Sequence, residues 1–507
     1  MNDTDLTLTS PLSATAMHER PLLALTILWH PEPERVGEQF VGGTGAQTVE
    51  LSRFLPLFQR PAGDGRALAH GGISREPVRI VRDEHDGIRV SVPNSRMVVE
   101  LNGEVVANSV LVNAGQVQAG VVLGLGRSVL ACIHWMSCLP KDNAVDGLLG
   151  VGAAAIRARD MIRQVASSDA PVLLLGETGT GKEVAARAIH GLGRRAAAPL
   201  VSVNMAALNE SLAAADLFGA TRGAYTGAQT ARAGLFAEAR GGTLFLDEIG
   251  NTPASVQPML LRVLESGDYR PLGASQDVRS SARLIAATDQ DVYTPSFNQP
   301  LLRRLESLVI RLAPLRARRE DIGVLIVHLL NGHAQAREAG VTLPASFVSD
   351  CANYDWPGNV RQLAHVVTRA LMALAHGEQP VFAALADAPP RAGAGTVGGD
   401  DADGAAEDGQ APSRRRLSGI GAQEVLEVME ANGWTILAAS AALGISRPSM
   451  YKLLATHPQI RRAEQIPQDE LRAALAASDG ALDVCASRLK TPAEALRRYL
   501  GAIGLVV

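Results

Sequence analysis

Two short segments of this chain hold residues of the types and spacing that chemistry on a triphosphate needs. The first runs Val172-Leu173-Leu174-Leu175 into Gly176-Glu177-Thr178-Gly179-Thr180-Gly181-Lys182-Glu183 and continues helically through His190. A buried strand, a glycine-rich turn and a helix opening with lysine together make a phosphate cradle. The glycines let backbone N–H groups converge on phosphate oxygens, the helix N-terminus favours negative charge, and Lys182 reaches the outer phosphates. The second segment, Gly241-Gly242-Thr243-Leu244-Phe245-Leu246-Asp247-Glu248, ends an apolar run in two acids. Asp247 can hold Mg²⁺ there while Glu248 polarises the attacking water. After the lysine, where a hydroxyl residue usually stands, the chain has Glu183. The loop then offers magnesium no side-chain hydroxyl, and the metal leans on Asp247, phosphate oxygens and water. The expected reaction is hydrolysis of a nucleoside triphosphate with Mg²⁺.

These groups need a rigid frame. Across residues 145–385, helical stretches alternate with the short buried runs Val172–Leu175, Leu244–Leu246 and Leu284–Ala287. That alternation predicts a parallel sheet wrapped by helices. Residues 21–136 read differently: the apolar runs Leu22–Trp29, Ile88–Pro93, Met97–Leu101 and Val121–Trp135 are separated by Gly, Asn and Asp, as in a β-rich domain. From 386 to 418 the composition collapses to Ala, Gly, Asp and Pro before Arg414-Arg415-Arg416, which predicts a flexible linker. Residues 419–507 read as helical. They hold a weak repeat in which Glu424 matches Glu470, Leu443 matches Leu489, Met450 matches Leu496 and Leu454 matches Leu500. The fold class is therefore multidomain: an N-terminal β-sandwich, a central α/β phosphate-loop ATPase and an all-α C-terminal part.

Further motifs extend the central domain. Gly223-Ala224-Tyr225-Thr226-Gly227-Ala228, after Leu217-Phe218-Gly219, sets one aromatic among small residues, a poor core segment and a good exposed probe. Trp356-Pro357-Gly358-Asn359-Val360-Arg361 lies farther on. With these motifs, residues 145–385 resemble the AAA+ domain of sigma-54-dependent transcription activators (bacterial enhancer-binding proteins), whose helical lid would begin near residue 315. The hexapeptide is similar to that family's GAFTGA loop, with Tyr for Phe. The resemblance implies that this loop grips the sigma factor of RNA polymerase and that its aromatic also meets promoter DNA. It implies that Asn204 restrains Glu248 until the γ-phosphate is sensed, and that Arg361 is the second sensor. Thr288-Asp289 stands where the family has Thr-Asn as first sensor, so Asp289 adds negative charge near phosphate. Phe297 to Leu305 matches the segment that supplies arginine fingers to a neighbouring subunit: Arg304 aligns with one finger, while Asn298 takes the place of the other, so that role is lost or passes to Arg303. A finger supplied in trans ties hydrolysis to assembly, so a ring, hexameric as in the family, is expected.

The two ends add recognition. Residues 436–454 read as helix, glycine turn and helix: Ala439 allows a close crossing, Gly444 turns the chain and Ser446 caps the second helix. The segment resembles a Fis-type helix-turn-helix within residues 419–462. Its second helix would offer Arg447, Ser449, Tyr451 and Lys452 to the major groove of double-stranded DNA, with Arg461 and Arg462 near phosphates. In the repeat copy, 468–507, Thr491-Pro492-Ala493-Glu494 forms a capping box with proline at the first helical position. It reads as a second, diverged unit, and both DNA contact and plain packing stay open for it. The β-rich region resembles a forkhead-associated domain, which reads phosphothreonine: Arg35-Val36-Gly37 matches the GR element, Ser74-Arg75 the SRxH element and Asn102-Gly103 the NG element. Arg35, Ser74, Arg75 and Asn102 would then hold a phosphothreonine protein by charge-assisted hydrogen bonds. Pro77 replaces the structural His and Glu38 adds an acid nearby, so a phosphate-blind sandwich is the alternative.

Composition sets bounds on all of this. The net charge of −4 excludes a whole-protein basic field, so DNA contact must be local. Four scattered cysteines, with no CxxC spacing, argue against a zinc site or disulfide framework and fit a reducing cytoplasm. No secretory pattern opens the chain, and no run approaches the ~20 apolar residues that span a bilayer. The expected protein is a cytoplasmic, ATP-dependent activator that binds DNA and remodels sigma-54 RNA polymerase, with no membrane partner. The alternative, motivated by Asn298, Asp289 and Tyr225, is a DNA-binding regulator with reduced or lost remodelling activity.

Overall fold

The computed structural model describes residues 21–43, 47–225, 228–333 and 342–386. Beyond these it describes 422–432, 434–436, 439, 442–443, 450, 454, 460–461, 466–478, 482–492, 496 and 499–500. Two units are separable, one up to Gly395 and one from Thr396, and the β-rich region belongs to the first together with the central domain.

The β-rich region forms β1 (Leu22–Trp29), β2 (Gln39–Val41), β3 (Thr48–Leu51), β4 (Val78–Arg82), β5 (Ile88–Ser91), β6 (Val99–Leu101), β7 (Glu104–Val105), β8 (Ser109–Val112), β9 (Val121–Leu125) and β10 (Val129–Met136). The single apolar run expected over 121–135 is a hairpin, broken by Gly126 and Arg127, both at positive φ. All pairings are antiparallel, in a six-stranded sheet ordered β2-β1-β10-β9-β6-β7 and a four-stranded sheet ordered β3-β4-β5-β8. Leu23, Leu25 and Ile27 from one sheet and Val49, Ile80, Ile88 and Val90 from the other meet in one core. β4 and β5 alternate as a half-buried strand should, with Arg79 and Arg89 exposed between buried Val78, Ile80, Ile88 and Val90. In β1 and β10 every residue is buried.

The central domain carries β11 (Val172–Leu175), β12 (Leu200–Asn204), β13 (Thr243–Asp247), the small hairpin β14 (Asp268–Tyr269) and β15 (Val278–Arg279), β16 (Arg283–Thr288) and β17 (Val309–Arg311). Five of these make a parallel sheet ordered β12-β13-β16-β11-β17. Helices α1 (Ala153–Ala166) and α2 (Lys182–Gly191) flank it, and α3 (Gln299–Leu305) follows β16. The lid contains α4 (Ile322–Gly332), α5 (Ala345–Asn353) and α6 (Asn359–Ala375). Its core includes Trp356, Phe347 and Leu363 and extends to Ala386, the first residue of the expected linker. The same core takes in Leu28, Trp29, Leu130 and Cys132 of β1 and β10.

In the second unit, α7 (Ala422–Ala431), α8 (Gln468–Ala477) and α9 (Leu482–Leu489) are helical. The repeat-matched residues Leu443, Leu489, Met450, Leu496, Leu454 and Leu500 share one buried cluster with Trp434. Among the described residues, no helix is long and apolar enough to cross a membrane.

Candidate nucleotide site

Parallel strands deliver their chemistry at their carboxyl ends. β11 ends in the glycine loop, β13 in Asp247 and β16 in Thr288, so the three come together at one edge of the sheet. Gly179 sits at φ +79° with its α-carbon pressed to the lid. A β-carbon there would fall 2.3 Å from the Gly358 carbonyl oxygen. Gly181, at φ +105°, turns the chain into α2. Lys182 is buried, and its Nζ donates to the Gly176 carbonyl at 2.8 Å and the Glu177 carbonyl at 3.4 Å, with Glu248 Oε1 at 3.9 Å. The ammonium is thus held at the loop mouth by its own backbone, between the loop and the acid pair. Thr180 is also buried, and its hydroxyl donates to the Glu177 carbonyl at 2.8 Å.

Glu248 follows β13 in the left-handed region, φ +55°, which is uncommon for a residue with a β-carbon and turns the side chain back towards the loop. Its carboxyl is hydrogen-bonded to Asp289. Burial first, then that bond and the Asp289 charge, raises the Glu248 pKa, against the opposing pull of Lys182. Asp289 is shifted down, chiefly because the Thr178 hydroxyl donates to its Oδ2 at 2.5 Å. Of the two carboxyls, Glu248 is thus the weaker acid. Asp247 is shifted up, mainly by burial. Its placement at a strand end beside Lys182 fits a hard cation that shares phosphate oxygens and water. Among the described residues no group of three or more His, Cys, Asp and Glu side chains is arranged to hold a metal.

Asn204 lies beside Asp247 in the β12–β13 register, and its side chain accepts from the Ala206 N–H at 2.9 Å as a cap. Thr288 is fully buried and accepts from the Gln290 N–H. Arg361 is exposed in the first turn of α6, with its β-carbon 3.2 Å from the β-carbon position at Gly179. Glu177, expected to face the nucleotide, is turned to the lid instead. Arg316 grips its carboxylate with two N–H groups at 2.5 and 2.7 Å, and Asn359 donates to it at 3.1 Å. The Arg316 bonds hold the Glu177 pKa below the usual range. Asn359 is fully buried at φ +50°; it also donates to the Thr178 carbonyl and accepts from the Leu315 N–H. Sequence reasoning missed Arg316 and Asn359 as site residues. Their only signal was Asn359 within the Trp356–Arg361 motif.

A model of the Sigma-54 interaction domain matches residues 148–311, and one of the AAA+ ATPase lid domain matches residues 316–389. The transcriptional regulatory protein ZraR of Escherichia coli (strain K12) is 37% identical over 312 residues, which cover 60% of this chain and 67% of that protein. The chain belongs to the family of sigma-54 interaction domain regulators. ZraR of Salmonella typhimurium is 43% identical over 242 residues, 46% of this chain and 55% of its own, so the chain spans about half the length of that relative. A solved structure of NtrX from Brucella abortus in complex with ATP aligns over 62% of this chain and 70% of that one, at 25% identity and a TM-score of 0.43.

On the sigma-54 interaction domain, Gly223 and Tyr225 of the loop Gly223–Ala228 are exposed. The base of the loop is closed by Gly223 N–H donating to the Ala228 carbonyl and Ala228 N–H to the Tyr225 carbonyl. Thr226 and Gly227 lie outside the described residues. Arg303 and Arg304 are exposed on α3, paired with Glu306 and Glu265 at 2.9 and 3.3 Å. Exposed pairs of this kind hold a side chain only weakly. Asn298 caps α3, accepting from the Leu301 N–H at 3.0 Å, so its side chain is spent locally.

At the N-terminal region the geometry corrects one expectation. Arg35 is buried, with all five N–H groups engaged: two on Glu38 and the others on the carbonyls of Arg66, Ala67 and Leu68. It closes a loop and has no donor left for phosphate. Asn102 is likewise used locally, exchanging hydrogen bonds with Val122. Ser74 and exposed Arg75 precede β4, and beside them lies Arg53, whose backbone N–H donates to the Ser74 carbonyl at 2.9 Å while its guanidinium donates to the carbonyls of Ile73 and Gly71. In the second unit, Ser446, Arg447, Ser449, Tyr451, Lys452, Arg462, Arg497 and Arg498 lie outside the described residues. Arg461 is described, forked onto Glu470 at 2.5 and 3.0 Å.

Proposed function

We propose that this protein is an ATPase that assembles as a ring, probing sigma-54 RNA polymerase with Tyr225-tipped loops to open promoters in the cytoplasm. The observation that carries this reading is the convergence of Lys182, Asp247 and Glu248 on one sheet edge of a matched sigma-54 interaction domain. Lys182 orients the outer phosphates, Asp247 is the protein ligand for Mg²⁺, and Glu248, as a carboxylate freed from Asp289, takes the proton from attacking water. Arg361 from the lid, with Arg304 and Arg303 from a neighbour, steadies the developing charge, and Asn204 holds Glu248 back until then. The second unit takes the protein to enhancer DNA through Ser446, Arg447, Ser449, Tyr451 and Lys452. The test is nucleotide turnover followed by open-complex formation. Lys182→Ala loses nucleotide binding, Glu248→Gln binds without turnover, and Thr226→Ala hydrolyses without opening promoters. A parent protein that turns over ATP yet never opens a promoter would sink the reading.

A second reading, a regulator with weakened remodelling, is favoured by two observations: Asn298 is spent as a cap where a finger is expected, and Asp289 binds the catalytic acid. Asp289→Asn with Asn298→Arg separates the two readings, since only a weakened enzyme gains turnover. For the N-terminal domain, phosphothreonine recognition is left to Ser74 and exposed Arg75. Arg75→Ala should abolish phosphothreonine-peptide binding by fluorescence anisotropy, and no affinity in the parent removes the idea.

A further inference from the structure

An antiparallel sheet with one face in water alternates polar and apolar residues, but Leu22–Trp29 and Val129–Met136 do not. Leu28, Leu130 and Cys132 leave the two-sheet core and enter the lid core with Leu315, Ile322 and Ile326. The approach is close. Gly323, in the first turn of α4, lies so near β1 that a β-carbon would sit 2.1 Å from the Leu28 carbonyl oxygen.

Between β10 and the phosphate loop stands the turn Arg318–Asp321. On its β-domain side, Glu320 Oε1 lies 4.0 Å from His134 Nδ1, and His134 Nε2 is bonded to Thr26 at 2.7 Å. Burial, helped by the Asp321 charge, pushes Glu320 up to about 8, and burial lowers His134 to about 4, so the two meet uncharged at neutral pH. On its ATPase side, fully buried Asp321 accepts from the Val151 and Gly152 N–H groups at 2.6 and 2.8 Å, in the segment that leads into α1. Arg318 donates to the carbonyl of Thr180, two residues before Lys182, at 3.4 Å and approaches Asp321 at 3.9 Å.

We propose that the two-sheet domain is a fixed partner of the lid, and that Arg318 and Asp321 are positioning residues through which its packing sets the phosphate loop. Nucleotide binding and the burial of β1 and β10 are then thermodynamically linked, and the linkage is reciprocal. A ligand on the far loops of the domain acts through this joint rather than by swinging free. The proposal rests on nucleotide binding at Lys182, and the test keeps the two ideas apart.

Hydrogen exchange of the full chain, with and without a non-hydrolysable ATP analogue, reads the linkage. Slower exchange at residues 176–182 together with residues 22–29 and 129–136 supports it. Protection at 176–182 with no change in β1 and β10 overturns it and leaves the nucleotide reading standing. No protection anywhere removes both. In the full chain, Gly323→Ala should weaken analogue binding about 5-fold or more. Leu28→Ala, which removes contact instead of forcing overlap, gives the same direction should the alanine at 323 prevent folding. Arg318→Lys should recover part of the affinity that Arg318→Ala loses. Unchanged affinity in folded Leu28→Ala, with faster exchange in β1, overturns the proposal.

Discussion

The two sheets of the N-terminal domain share a core but turn different faces outward. On the four-stranded sheet the outward side chains include Arg79 and Arg89, both exposed, and Arg79 meets Glu50 at 3.0 Å with both side chains largely in water. Such a pair contributes about 1 kcal/mol or less. On the six-stranded sheet the outward positions include Leu28, Leu130, Cys132 and His134, all buried, the first three in the lid core and His134 beside Glu320. Fully burying a leucine contributes roughly 1.5–3 kcal/mol, so Leu28 and Leu130 alone outweigh the ion pair. A sheet whose outer face is polar ends at water, whereas one whose outer face is apolar is half of an interface.

That contrast breaks or sharpens on three measurements. The largest effect belongs to Leu130→Asp, which buries an unpaired carboxylate between β10 and the lid. Its cost should be about 4 kcal/mol by urea unfolding, and a loss under about 1 kcal/mol would mean that face is open to water. Next comes a pH effect. Unfolded, Glu320 ionises near 4.5, but folded only near 8, so between those values the folded chain keeps a proton the unfolded chain has lost. Stability therefore falls as pH rises through this window. Below about 6.5, His134, lowered to about 4, acts in the opposite sense, so the clean window is about 6.5 to 8. The parent melting temperature should fall across it, and Glu320→Gln should flatten the slope; an equal slope in both proteins contradicts the buried pair. Smallest is Arg89→Ser on the open sheet, expected to change stability by less than about 0.5 kcal/mol. A larger loss would show that this face is also covered.

Legibility followed locality. β11, β13 and β16 and the glycine loop could be read directly, because phosphate chemistry needs contiguous residues in a strand-loop-helix order. The repeat in the second unit was readable too, since matched apolar residues at a constant offset end in one cluster. Arg35 misled, because an arginine before a glycine looks the same whether it faces a ligand or a carboxylate; Glu38, three residues on, decides for the carboxylate. Arg316 and Asn359 stayed hidden because their partner Glu177 lies far away in sequence.

By itself the sequence determined the phosphate loop, its acid pair, the parallel sheet beneath them and the exposed aromatic loop. Each of these depends on neighbouring residues and their period. Even the covered face of β1 and β10 was written there, as runs of apolar residues without alternation. Only the tertiary structure decided what covers them, which arginine of the β domain is spent internally, and that Asp289 reaches both Thr178 and Glu248. Those outcomes depend on which distant groups reach bonding distance once the chain has packed, and spacing along a strand or helix does not encode that.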